Sequence, residues 1–125
     1  MCKEGIFQEV LNKVTEVTGI DSNEVKSSKM EYATDARYIL IKALVRLGFS
    51  NLDISVFLGC SRQAVGYMYN HYKRTKWTLE NDLKCVLNYT KYIESNGVTI
   101  DFDKWIQEEP CDFLQELKKI QPVKD

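Results

Sequence analysis

The chain has 125 residues, 44% of them apolar and 28% charged, with a formal net charge of −1. That is a globular composition, long enough to bury a core within one ordinary domain. No apolar run approaches the roughly 20 residues that span a bilayer, and Met1-Cys2-Lys3-Glu4-Gly5 carries no apolar signal core, so the expectation is a cytoplasmic protein with no membrane partner.

Ile6, Val10, Val14 and Val17 form one apolar stripe at helical spacing, and Phe7 and Leu11 widen it. This predicts an amphipathic helix over 6–18, stopped by Gly19. Asp21-Ser22-Asn23 offers an N-cap for a short turn or helix through Val25, and Lys26-Ser27-Ser28-Lys29 reads as a polar loop. The segment YATDARYILIKALVRL puts Ala36, Ile39, Leu40, Ala43, Leu44 and Leu47 on one face, broadened by Ile41 and Val45. So wide a face predicts a central helix packed on two sides and closed by Gly48.

A short helix over NLDISVFL follows, with Leu52, Ile54, Phe57 and Leu58 as buried candidates. Gly59-Cys60 breaks it, and Ser61 caps the next helix, from Arg62 to about Lys73, with Val65, Met68, Tyr69 and Tyr72 inward. After Trp77, Thr78 reads as the cap of a helix over LENDLKCVLNYTKYIES, ended by Asn96-Gly97. VTIDFD reads as an extended linker into a helix from Asp103 to Glu109, and an amphipathic DFLQELKKI precedes a Pro122 tail. Domain organisation is read as 1–77 for the domain proper and 78–125 as a C-terminal helical extension, which closes the core or meets a second copy of the chain.

Charge is unevenly placed. From Arg37 to Lys76 there are seven Lys/Arg against one acid, Asp53, whereas from Thr78 onward there are six Lys against ten Asp/Glu. A basic middle third points to a polyanion despite the neutral average. Cys2, Cys60, Cys85 and Cys111 have no short C-x-x-C pairing and His71 is the lone histidine, so no metal site is expected. Nor does any Ser or Cys stand in a triad context, which argues against an enzyme and leaves no cofactor implied.

The segment NLDISVFLGCSRQAVGYMYN carries the functional signal. A helix-turn-helix needs a small residue where its helices meet, here Ser55, and a residue that tolerates the left-handed turn four later, here Gly59. Ile54, Leu58, Cys60, Val65 and Met68 fill the apolar locking positions. Ser61, Arg62, Gln63, Gly66, Tyr67 and Asn70 then face outward. Arg can bridge guanine O6 and N7, and Gln or Asn can bridge adenine N6 and N7. Gly66 would let the helix sit close to the groove floor, while Lys73, Arg74 and Lys76 would meet the backbone. Lys42 and Arg46, with Arg37, form either a phosphate-facing edge or a solvated helix face.

In order and spacing, residues from about Val10 to Lys73 resemble the C-terminal duplex-binding domain of the bacterial replication initiator DnaA, in the Trp-repressor-like group. The resemblance runs through VTGIDSNEVKSSK, the Ala36-Arg37 pair opening the long helix, the short helix ending at Gly59, and the following helix with Val65. It implies an all-α helical bundle whose second helix-turn-helix element enters the major groove of double-stranded DNA, with Lys29 and Arg37 on the backbone or minor groove. The family's Asp-His-Thr-Thr-Val run reads here Ser61-Arg62-Gln63-Ala64-Val65, so its target sequence does not transfer. There is no G-x-x-x-x-G-K-S/T phosphate loop and hence no sign of ATP binding. The rival expectation is a module that docks onto a replication or transcription protein.

Overall fold

A computed structural model describes residues 3–73 and 75–95, with side chains as far as Cys85. Every regular element among them is helical: α1 (Lys3–Thr18), α2 (Ser22–Ser27), α3 (Glu31–Arg46), α4 (Asn51–Leu58), α5 (Arg62–His71) and α6 (Lys76–Ser95). No helix of the described residues is long and apolar enough to cross a membrane. The expectations for VTIDFD, the 103–109 helix and DFLQELKKI lie outside the described residues.

The centre is α3. Ala36, Ile39, Leu40, Ala43 and Leu44 are buried as their spacing predicts, and Tyr38, Ile41 and Lys42 on its other sides are buried too. All sides are covered because α1, α2, α5 and α6 each pack on α3, and α4 touches it more lightly. From α1 come Phe7, Val10, Leu11 and Val14, from α4 Ile54, from α5 Val65, and from α6 Cys85. Phe57 stacks on Phe7, ring centroids 4.9 Å apart, and carries α4 onto α1.

Local chemistry fixes the helix ends. At the end of α3, Gly48 adopts φ +93°. The Gly48 amide donates to the Val45 carbonyl (3.0 Å) and the Phe49 amide to the Leu44 carbonyl (3.0 Å). This is a Schellman closure, and the residue after the glycine, Phe49, is buried as that closure favours. The Ser50 hydroxyl accepts from the Asp53 amide and the Asp53 carboxylate accepts from the Ser50 amide, a reciprocal capping box on α4. Lys3 from α1 also binds Asp53, at 2.7 Å, and with those hydrogen bonds holds its carboxyl below the usual range.

The start of α6 differs from expectation. Thr75 is its cap: its hydroxyl accepts from the Thr78 amide (3.1 Å) while the Thr78 hydroxyl accepts from the Thr75 amide (2.9 Å). Thr78 therefore occupies the third helical position of a capping box, and the expected boundary at residue 77 falls inside α6. Leu83 and Cys85 are buried, so the first turns of the expected extension are built into the same packed unit as α1 and α3.

Only three residues join α4 to α5, and Gly59 takes the left-handed conformation, φ +70°. A Cβ there would meet nothing within 4 Å, so the demand is purely on the backbone. Gly59→Ala is therefore expected to lower stability by about 1–2 kcal/mol, the cost of holding an L-residue in that region. Urea unfolding would measure it, and Gly59→Asn should lose less.

Candidate nucleic-acid interface

The α4–α5 pair is held together from inside. Ser55 is buried, and its hydroxyl donates back to the Leu52 carbonyl of its own helix (2.7 Å). Val65 is buried, and Met68 and Tyr69 are half-buried against the core. One expected locking residue, Cys60, is exposed in the turn, and Leu52, a buried candidate of the short helix, is 53% exposed. The α4–α5 connection ends with Ser61, whose hydroxyl accepts from the Ala64 amide at 3.1 Å, the N-cap its position predicts.

The outer surface of α5 brings together most of the residues singled out in the sequence. Arg62, Gln63, Gly66, Tyr67 and Asn70 line one open trough of about 670 Å³, closed on its other side by Ser50, Asn51 and Leu52 from the start of α4. Arg62 and Gln63 are exposed, and Tyr67 is 65% exposed with its ring against that of His71, centroids 5.2 Å apart. The Asn70 side-chain amide donates to the Gly66 carbonyl of its own helix (2.9 Å). Gly66 lines the trough, and a Cβ at that position would lie 3.3 Å from the Asn51 side-chain amide nitrogen.

A second, smaller groove runs along the other side of α5. Lys26, Ser27 and Lys29 from the end of α2 and its loop face Gly59, Cys60 and Ala64 across it. Lys29 is exposed and close to the start of α5, where the resemblance implies a backbone contact.

Three of the seven cations of the basic middle third, Arg37, Lys42 and Arg46, are turned into the molecule. Lys42, expected on a phosphate-facing or solvated edge, is 4% exposed, with its ammonium 5.5 Å from the Tyr69 ring centroid. This contact ties α3 to α5 as a cation–π interaction. Arg46, from the same expected edge, makes a bidentate pair with Asp82 of α6 at 2.7 and 2.8 Å, the two side chains 5% and 6% exposed. Arg37 is half-buried, and its guanidinium donates to the carbonyls of Val25 (2.8 Å), Ser28 (2.6 Å) and, at 3.4 Å, Glu24. It thereby satisfies the Val25 carbonyl in the last turn of α2 and the Ser28 carbonyl just beyond it. Burial pulls its pKa down, although a guanidinium stays charged. Arg37 and Lys42 are thus positioning groups and not free phosphate ligands.

At the far end of α5, Tyr72 and Lys73 are fastened to the start of α3. The Tyr72 hydroxyl donates to Asp35, its ring lies 5.0 Å from that of Tyr38, and burial first, then Asp35, pushes its phenol pKa upward. Lys73 is paired with Glu31, whose carboxyl it draws below the usual range, and lies 3.9 Å from Asp35. Arg74 lies outside the described residues. Lys76 is exposed and 3.8 Å from Glu80. Among the described residues no three His, Cys, Asp or Glu side chains gather where they could hold a metal ion. Trp77 lines a shallow cavity with Thr18, Ile20 and Tyr32.

Comparisons with protein-family models, with curated proteins and with solved structures find no match for this chain, so what its surface binds is argued from the surface itself.

Proposed function

We propose that this chain binds double-stranded DNA sequence-specifically, with α4 and α5 as a helix-turn-helix and α5 laid in the major groove. Its role would be that of a regulator or accessory factor in DNA transactions, built on the Trp-repressor-like plan of the DnaA C-terminal domain. One observation carries the reading: Arg62, Gln63 and Tyr67 stand exposed on one capped helix, beside a trough that no described residue covers. A guanidinium and a carboxamide on one helix face are the groups that read purine edges. Lys29 borders α5 on the other side, where a phosphate strand would pass.

The inward cations set a quantitative expectation. With Arg37, Lys42 and Arg46 committed to the fold, two to four phosphates remain to be neutralised, which gives a slope of log K against log salt of about −2 to −4. Anisotropy titrations between roughly 50 and 200 mM salt would measure it. Lys29→Ala should weaken all duplexes alike and flatten that slope by about one, whereas Lys73, paired with Glu31, should contribute less. Selection from random duplexes tests the reading as a whole, and recovery of no preferred sequence refutes it.

A docking role on a replication or transcription protein is the second reading. It is favoured by the exposed Leu52 and Val56 of α4.

A further inference from the structure

We infer that residues 108–117 of this chain dock on the exposed face of α4 beside the trough and so compete with duplex for the recognition surface; the competition rests on the proposed DNA binding. Leu52 and Val56 lie one helical turn apart on α4 and are 53% and 71% exposed, whereas Ile54 between them is fully buried. Exposed apolar side chains scattered singly are ordinary. This pair is continuous with the trough, whose lining Leu52 shares with Arg62 and Gln63 and which includes no Asp or Glu.

The course of α6 directs the rest of the chain to this end of the molecule. Trp77, at its start, lines a cavity with Thr18 and Ile20 at the end of α1, and α6 packs on α1. At the other end of α1, Lys3 is paired with Asp53 in the first turn of α4. In the second turn of α6, Asp82 already meets Arg46, four residues before the Ser50 cap of α4. α6 therefore runs back along α1 towards α4, and its 20 residues rise about 30 Å against roughly 24 Å for the 16 of α1. The 12 residues between Ser95 and Glu108 can bridge up to about 40 Å, several helix-to-helix spacings.

The segment is the chemical complement of this surface. Between Lys104 and Lys118 there is no cation and there are four acids, Glu108, Glu109, Asp112 and Glu116. Phe113, Leu114 and Leu117 recur among them at the spacing of one helical face. The apolar groups suit Leu52 and Val56, and the carboxylates suit the exposed Arg62, the group that a duplex would engage. Tethering gives the segment a local concentration of the order of millimolar, which favours it over a free partner of the same chemistry. With the segment seated in about nine molecules of ten, a duplex meets about one competent molecule in ten, and its apparent affinity falls by that factor.

The test uses the full chain and the duplex recovered by random-site selection. Phe113→Ser combined with Leu117→Ser removes apolar groups and leaves the net charge unaltered, so a gain in DNA affinity is not electrostatic. Duplex binding should tighten about ten-fold. Val56→Ser, outside the trough lining, should do the same, and combining it with the first pair should bring no further gain. In the unaltered chain, adding saturating duplex should speed hydrogen exchange of the 108–117 amides. Unchanged exchange there, or an unchanged duplex affinity in the folded Phe113→Ser, Leu117→Ser chain, overturns the inference while DNA binding stands. A gain that vanishes on dilution of the protein assigns the segment to a second copy and overturns it too. No duplex binding by either form overturns the DNA reading and the competition with it. If the substituted chains do not fold, the exchange measurement on the unaltered chain decides.

Discussion

Arg62→Ala is expected to weaken binding to the preferred duplex by about 1–3 kcal/mol and to remove discrimination at one base pair. Arg62 is the first helical residue of α5, exposed, and one residue beyond the Ser61 cap, so the substitution leaves the cap and the core untouched. The guanidinium fork matches guanine O6 and N7 in one plane, and its loss leaves those acceptors facing water or nothing. Arg62→Lys separates charge from geometry: an ammonium keeps the electrostatic attraction but not the rigid fork. It should hold the salt slope and lose part of the guanine preference. Anisotropy against four duplexes that differ at the selected guanine would read this. An equal loss on all four would make Arg62 a phosphate contact and assign base reading elsewhere.

The largest effect on stability is expected at the pair that joins α3 to α6. Asp82→Ala removes the bidentate carboxylate partner of the buried Arg46 guanidinium, whose two hydrogen bonds to it run in parallel between almost wholly shielded side chains. Breaking such a pair from one side costs about 3–5 kcal/mol, a large share of the about 5–15 kcal/mol that holds a typical domain together. Arg46→Met combined with Asp82→Leu removes both charges at similar volume and should recover most of the loss. Urea midpoints for the two single variants and the double variant would show the pattern. Near-wild-type stability of Asp82→Ala would mean that water or another group takes over the guanidinium.

The helix ends were the most legible part of the sequence, because capping is short-range. Gly48, Gly59 and Ser61 each act through a bond to a residue within five positions. Thr75 and Thr78 illustrate the limit: both can cap, and only the reciprocal geometry tells which one starts the helix. Of the candidate site, the outward residues of α5 were legible from helical period alone. The cations of α3 were not. Arg37, Lys42 and Arg46 share a helix with apolar neighbours on several sides, and a linear charge count cannot tell which charges face water. Each is drawn inward by a partner distant in sequence: loop carbonyls for Arg37, the Tyr69 ring for Lys42, and Asp82 for Arg46. Leu52 errs the other way. It is apolar and at a plausible period, yet it lies on the side of α4 that α5 leaves open.

The fastening of α5 to α3 bears on how a target would be chosen. Val65 sits in the core, Tyr69 lies under Lys42, and Tyr72 is tied to Asp35, so the helix is anchored along its length before any ligand arrives. Little entropy remains to be surrendered on docking, and a handful of contacts can yield useful affinity. With the helix held in place, adaptation to a poorly matched site would fall to the exposed side chains alone, so each mismatch in a duplex bound as proposed should be penalised individually.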